Sequence, residues 1–237
     1  MNLILLNPDD FTAPGRVRLD GRRLQHIRDV HSAAPGDSLR VGLVDGPMGS
    51  GQLVSLTDTA LELEVTLDQI PPPQLPLTLL LALPRPKMLK RIFQTCATFG
   101  VQELILFNSY RVEKSYWQSP WLTPERIHEH LLLGLEQGVA TQLPRVRLEK
   151  RFKPFVEDRL PALVAGKRAL LAHPYQASPC PGPQTPAPNT LLVIGPEGGL
   201  IGYEVNKLID AGLQPVHLGP RILRVETALS ALLGRLF

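Results

Sequence analysis

The stretch Ile70-Pro71-Pro72-Pro73-Gln74-Leu75-Pro76 constrains this chain more than any other. Consecutive prolines can continue neither a strand ladder nor a helix, and they favour a stiff extended spacer. The hydrophobic pattern also changes across it. Before it, short alternating runs are separated by turns: Leu3–Leu6, Arg16–Leu19, Ser38–Val44, Gln52–Leu56 and Leu61–Leu67. One helical segment near Gly21 carries Leu24, Ile27 and Val30 on one face, and Gly46–Gly51 reads as a strong turn. Many short strands at this spacing predict a small β-barrel over residues 1–70.

After the spacer, residues 77–237 alternate apolar strands with helical patterns. Leu77–Leu83, Val101–Phe107, Arg168–Ala172, Thr190–Ile194 and Gln214–Leu218 are of strand type. Lys87–Phe99 (ended by Gly100), Thr123–Gln137, Lys153–Leu163, Leu200–Ala211 and Arg224–Leu236 are of helix type. This alternation predicts an α/β fold with a parallel sheet covered on both faces. Pro174–Pro188 reads as a surface loop. With 237 residues the chain is long enough for these units, and residues 71–76 form the linker between them.

A formal charge of +3 permits an anionic partner without requiring one. The two cysteines, Cys96 and Cys180, are far apart in sequence and indicate neither a disulfide framework nor a zinc site. Cys96 sits in a helix pattern and reads as core. The histidines show no H-x-x-x-H spacing, so no metal site is expected. The N-terminus lacks a basic leader, and no apolar run reaches membrane length, which predicts a soluble cytoplasmic protein without a membrane partner.

Two turns carry the chemistry. Leu191–Ile194 runs into Gly195-Pro196-Glu197-Gly198-Gly199, and about twenty residues on, one βα unit later, Val216–Leu218 runs into Gly219-Pro220-Arg221-Ile222-Leu223-Arg224. In open α/β sheets ligands sit beyond the carboxyl ends of strands, so two such turns side by side would form one pocket. The first is no dinucleotide fingerprint, and it has no Walker lysine. Its bland reading is an unliganded βα turn, with Glu197 facing solvent or accepting from a ligand hydroxyl or amine. Glu226 and Thr227, just inside the next helix, are well accounted for as first-turn residues. Arg221 and Arg224 are not, because the positive end of a helix disfavours cations; they point to an anion. A second basic group, Arg85, Lys87, Lys90, Arg91, Arg111 and Lys114, is interleaved with Tyr110, Tyr116, Trp117 and Trp121. These aromatics suit either base stacking or an interface.

The motifs GPEGG and LGPRILRVETA together resemble the signature of the ribosomal RNA small subunit methyltransferase E family. His26-Ile27 with Pro35-Gly36-Asp37, Phe99-Gly100-Val101 and Leu171-Ala172-His173-Pro174 resemble weaker family stretches, so that the likeness extends over the whole chain. The resemblance implies a PUA-like barrel followed by a SPOUT-type methyltransferase domain with a trefoil knot. It also implies a homodimer, S-adenosylmethionine as cofactor, and methylation of N3 of a uridine in 16S rRNA. Carried over by position, the cofactor would be held by Leu171, Gly195, Pro196, Glu197, Gly198, Gly199, Leu218, Gly219, Ile222, Leu223 and Thr227. Arg224 and Arg221 would stabilise the pyrimidine anion, with Glu226 or Glu197 orienting it or taking its proton. The chain departs from the family pattern where basic residues are usual: it has Ile4, Ser32, Thr95 and Thr141-Gln142-Leu143. Those departures keep open another rRNA or tRNA base as target, or an RNA-binding assembly factor on the same fold.

Overall fold

The computed structural model describes residues 2–31 and 33–237, so the departure at Ser32 lies outside the described residues. The first strands, β1 (Ile4–Leu6), β2 (Phe11–Ala13), β3 (Arg16–Leu19), β4 (Ser38–Leu43), β5 (Met48–Leu56) and β6 (Leu61–Gln69), form one sheet in the order β1-β4-β5-β6-β3-β2. Pairing is antiparallel except for β1 beside β4. A short helix α1 (Gly21–His26), extended by a π turn, covers its core with Leu24 and Ile27. The expected turn at Gly46–Gly51 is shorter than its sequence suggests, since Met48 already opens β5. Gly49 is there for close approach: a Cβ would lie 1.8 Å from the carbonyl oxygen of Thr66. That glycine serves a strand contact, which its sequence neighbours do not reveal.

The remaining strands are β7 (Leu75–Ala82), β8 (Val101–Phe107), β9 (Arg145–Glu149), β10 (Arg168–Ala172), β11 (Ser178–Pro179), β12 (Thr190–Ile194) and β13 (Gln214–His217). They build an all-parallel sheet in the order β11-β13-β10-β12-β7-β8-β9. β7 begins at Leu75, inside the Pro-rich spacer. The helices are α2 (Pro86–Thr98), α3 (Pro124–Gly138), α4 (Phe152–Pro154), α5 (Leu160–Val164), α6 (Gly202–Asp210) and α7 (Val225–Leu236). A π turn over Phe155–Arg159 breaks what the periodicity presents as one helix into α4 and α5, with Pro161 at its start. Central strands of a sheet covered on both faces read as continuous apolar runs, and Leu79, Leu80, Leu81, Leu191, Leu192 and Val193 are all fully buried. Each such side chain contributes roughly 2 kcal/mol of transfer free energy.

β1 belongs to the smaller sheet, but the side chains along it and just before it serve both cores. Ile4 and Leu6 point into the smaller core, while Leu3 and Leu5 join the larger one. Ile4 is only 2 % exposed, so a charged side chain there would be buried without a partner. Further links are polar. Arg22 donates both terminal nitrogens to the buried carboxylate of Glu136, at 2.8 and 2.7 Å. Thr141, fully buried, donates to the carbonyl of Gly46 at 2.7 Å, and Asp45 accepts from the amide of Leu143. Thr141 therefore stands where it does for packing between the sheets.

Candidate active site

Both motif turns leave the same edge of the parallel sheet. Ala172 of β10 is in register with Ile194 on one side and with Val216 on the other, so the ends of β12 and β13 flank one strand. Two inter-strand spacings put the turns about 10 Å apart. β10 ends between them at Ala172, and the amide of the next residue, His173, donates to the Val216 carbonyl. Leu171 is fully buried one residue further in, between Val193 and Pro215.

The turn after β12 is fastened from several sides. The Gly199 amide donates to the Pro196 carbonyl at 2.8 Å, and Gly199 has φ of +75°, a conformation that only glycine adopts cheaply. Glu197 is exposed but does not stand free. Its Oε1 accepts from the backbone amide of Arg85 at 2.9 Å, at the residue preceding α2. A carboxylate there also complements the positive end of the helix. The Arg111 side chain lies across Gly198 and donates to its carbonyl oxygen.

Glu204, which belongs to neither motif, ties this region together. It is 2 % exposed, and its carboxylate accepts from the Tyr110 amide at 2.7 Å and the Ile201 amide at 3.0 Å. One side chain thus caps α6 and pins the segment after β8. An acidic residue in the first turn of a helix downstream of GPEGG is the only sequence trace of this role.

The turn after β13 is different. Gly219 donates its amide to His217 Nδ1 at 2.9 Å, leaving Nε2 to carry the ring proton in the neutral form. Leu218, Ile222 and Leu223 expose their side chains, Ile222 by 72 %. The amides of Ile222 and Leu223 have no hydrogen-bond partner among the described residues. Arg221 and Arg224 are exposed, and among the described residues neither guanidinium makes an ion pair or hydrogen bond. Arg224 immediately precedes α7, with Glu226 half-buried in the first turn and Thr227 exposed; the Arg224 side chain makes no capping bond to this helix. Apolar side chains next to unpaired amides form a surface that suits the aromatic face and polar edge of an adenine.

The expected surface loop 174–188 is partly built into the sheet: β11 pairs with β13, and Cys180 is buried with its amide donating to His217. Burial pushes the Cys96 thiol up to about 12, and it raises that of Cys180 as well. Neither is a poised nucleophile. Among the described residues no group of three His, Cys, Asp or Glu side chains is placed to hold a metal, and no helix is long and apolar enough to cross a membrane.

A parallel sheet whose strand ends carry these two turns defines a class, and the family described as RNA methyltransferase domain matches residues 71–236. The likeness then narrows. A Synechocystis protein named ribosomal RNA small subunit methyltransferase E is 30 % identical over 226 residues, covering 93 % of this chain and 72 % of that one. The Treponema pallidum protein of the same name is 26 % identical over 236 residues, covering 98 % and 88 %. The chain belongs to the ribosomal RNA small subunit methyltransferase E family. A crystal structure of the Neisseria gonorrhoeae member, bound to S-adenosyl methionine, shares the fold with a TM-score of 0.72 at 22 % identity, covering 98 % of this chain and 95 % of that one.

Proposed function

We propose that this protein is an S-adenosylmethionine-dependent rRNA methyltransferase that methylates N3 of a uridine in 16S rRNA of the small ribosomal subunit. The observation that carries the reading is the pairing of a fastened turn, 195–199, with an uncommitted one, 218–224, at two strand ends that flank β10. Gly195, Pro196, Gly198, Gly199, Leu218, Gly219, Ile222 and Leu223 would hold the cofactor, largely through backbone groups, with Thr227 and the strand end at Leu171 nearby. When bound, the cofactor supplies an electrophilic methyl group.

The chain's own residues must then make a nucleophile of the base. A neutral uracil N3 keeps its proton, so the proton has to leave and the resulting anion has to be held. Arg224 and Arg221 carry permanent charges that no group among the described residues neutralises, which suits them to that anion. Glu226, half-buried in the first turn of α7, would orient the base or take the proton. Glu197 has one oxygen committed to Arg85, so its part is to hold the turn in shape.

The wider architecture belongs to the same proposal. Residues 1–70 act as a PUA-like barrel that binds RNA, residues 71–76 as linker, and residues 77–237 as the methyltransferase domain. The C-terminal segment is threaded as a trefoil knot, an exception to the general avoidance of threading. Support for the knot lies in β12 sitting between β10 and β7 while β13 lies outside β10 and α7 returns to α2. The enzyme works as a homodimer in the cytoplasm. The test is transfer of labelled methyl from S-adenosylmethionine to small-subunit rRNA, with mass spectrometry of the resulting nucleosides. Formation of 3-methyluridine is expected; label on another base rejects the uridine assignment, and no transfer rejects the enzyme.

A further inference from the structure

We propose that Tyr110 is a stacking platform for an unpaired base of the RNA, set beside the 195–199 turn; this rests on the reading of the chain as an rRNA methyltransferase. Tyr110 is 79 % exposed, although large aromatic side chains are normally covered for most of their surface. Its backbone is nonetheless fixed. The amide is held by the buried carboxylate of Glu204 at 2.7 Å, and two residues on, the Val112 amide closes a turn onto the Ser109 carbonyl at 3.1 Å. Val112 and Ser109 are both buried. The ring therefore stands on a rigid turn, which lowers the ordering cost of a contact made by it.

The neighbouring aromatics have other engagements. Tyr116 is half-buried with its hydroxyl on Glu113 at 3.1 Å, and the Trp117 indole donates to Asn108 at 2.9 Å. Trp121 has the Lys90 ammonium 3.6 Å from its ring centroid and the His130 ring at 5.6 Å. Among the described residues the Tyr110 hydroxyl has no partner, and its ring makes no ring contact. Packing explains the other three; it does not explain Tyr110.

The charge around it favours a nucleic acid. Arg111 and Lys114 are exposed on the same segment, and Arg85 and Lys87 are exposed at the start of α2. Of the carboxylates nearby, Glu113 accepts from Tyr116 and Glu197 from the Arg85 amide. Arg111 uses one nitrogen on the Gly198 carbonyl, and a guanidinium has further donors for a phosphate. An exposed ring on a fixed turn, beside cations that make no ion pair among the described residues, is an arrangement by which proteins hold single-stranded bases and their backbone.

The experiment compares the full-length protein with Tyr110→Ala and Tyr110→Phe. Affinity for a fluorescein-labelled single-stranded oligouridylate and for small-subunit rRNA is read by anisotropy. S-adenosylmethionine affinity is read by calorimetry, and mass in solution by light scattering. Tyr110→Ala is expected to weaken RNA binding roughly tenfold, with Tyr110→Phe close to wild type and cofactor affinity and mass unchanged. Unchanged RNA affinity in Tyr110→Ala overturns the proposal, as does a fall in mass at unchanged RNA affinity, which would place the ring against a second copy of the chain. Failure of the enzyme reading looks different: the wild type itself transfers no methyl to rRNA, while the anisotropy comparison still decides the role of Tyr110.

Discussion

The two turns at the edge of the parallel sheet have similar sequences and opposite physical states. Gly195–Gly199 is held by groups far away in the chain: the Arg85 amide takes Glu197, Arg111 lies on Gly198, and Glu204 secures the Ile201 amide at the start of α6. Leu218–Arg224 has a local bond from Gly219 to His217, and otherwise exposes apolar side chains, free amides and two guanidinium groups unpaired among the described residues. A site needs both kinds of segment. One turn is preorganised, so binding costs little ordering there; the other keeps its bonding capacity for a ligand.

Experiments on four residues bear on this contrast. The largest effect is expected from Arg224→Ala. If its charge is reserved for the transition state, methyl transfer falls about 100- to 1000-fold, the cost typical of losing one such electrostatic partner. Thermal stability stays within about 0.5 kcal/mol, because the side chain is exposed and unpaired. Unchanged single-turnover rates would show that the Arg224 assignment is wrong.

Glu204→Ala tests the fastened turn. It leaves the part-buried Tyr110 and Ile201 amides without their acceptor and is expected to cost about 1–3 kcal/mol in chemical denaturation, with weaker cofactor binding in calorimetry. A loss of activity at full stability would contradict a fastening role. Gly199→Ala should be milder, about 1 kcal/mol, since alanine must adopt φ near +75°. Gly202, which is exposed at the start of α6 and has open space around it, is the control: Gly202→Ala should leave stability unchanged or slightly raised.

The smallest effect concerns a residue outside both turns. His130 is 6 % exposed, and among the described residues neither ring nitrogen has a hydrogen-bond partner. Burial pushes its imidazole below the ordinary value of 6.5, helped by Lys90 and Arg126 and opposed by Glu129. A group whose folded pKa is depressed binds more protons unfolded, so its stability is intact above 6.5 and declines as pH falls below it. Urea midpoints measured from pH 7.5 downward should therefore drop less in His130→Leu than in wild type. Parallel curves would remove His130 from the acid response.

Much of the fold is legible in the sequence. Thr190–Ile194 is bounded in the structure as its apolar run suggests, and Thr123 caps α3 by accepting from the Arg126 amide. Local rules suffice there, because an apolar run and a capping hydroxyl act over a few residues. They fail where a residue answers to a distant one. Gly46–Gly51 reads as a turn, yet Gly49 is a strand residue shaped by Thr66. Residues 153–163 keep a helical period, while the structure interrupts it with a π turn. Thr141, in the stretch Thr141-Gln142-Leu143 that reads as a departure from the family pattern, proves to be a buried link to Gly46.

The two motifs, the alternation that makes a parallel sheet, and the family to which they belong are all readable from residues alone, since each is written in short-range pattern or shared sequence. Which motif is held and which is free emerges only in three dimensions. That distinction depends on Arg85, Arg111 and Glu204, brought to Gly195–Gly199 across up to 112 residues of chain by strand order. Hydrogen bonds form between groups adjacent in space, and strand order, rather than spacing along the chain, sets that adjacency.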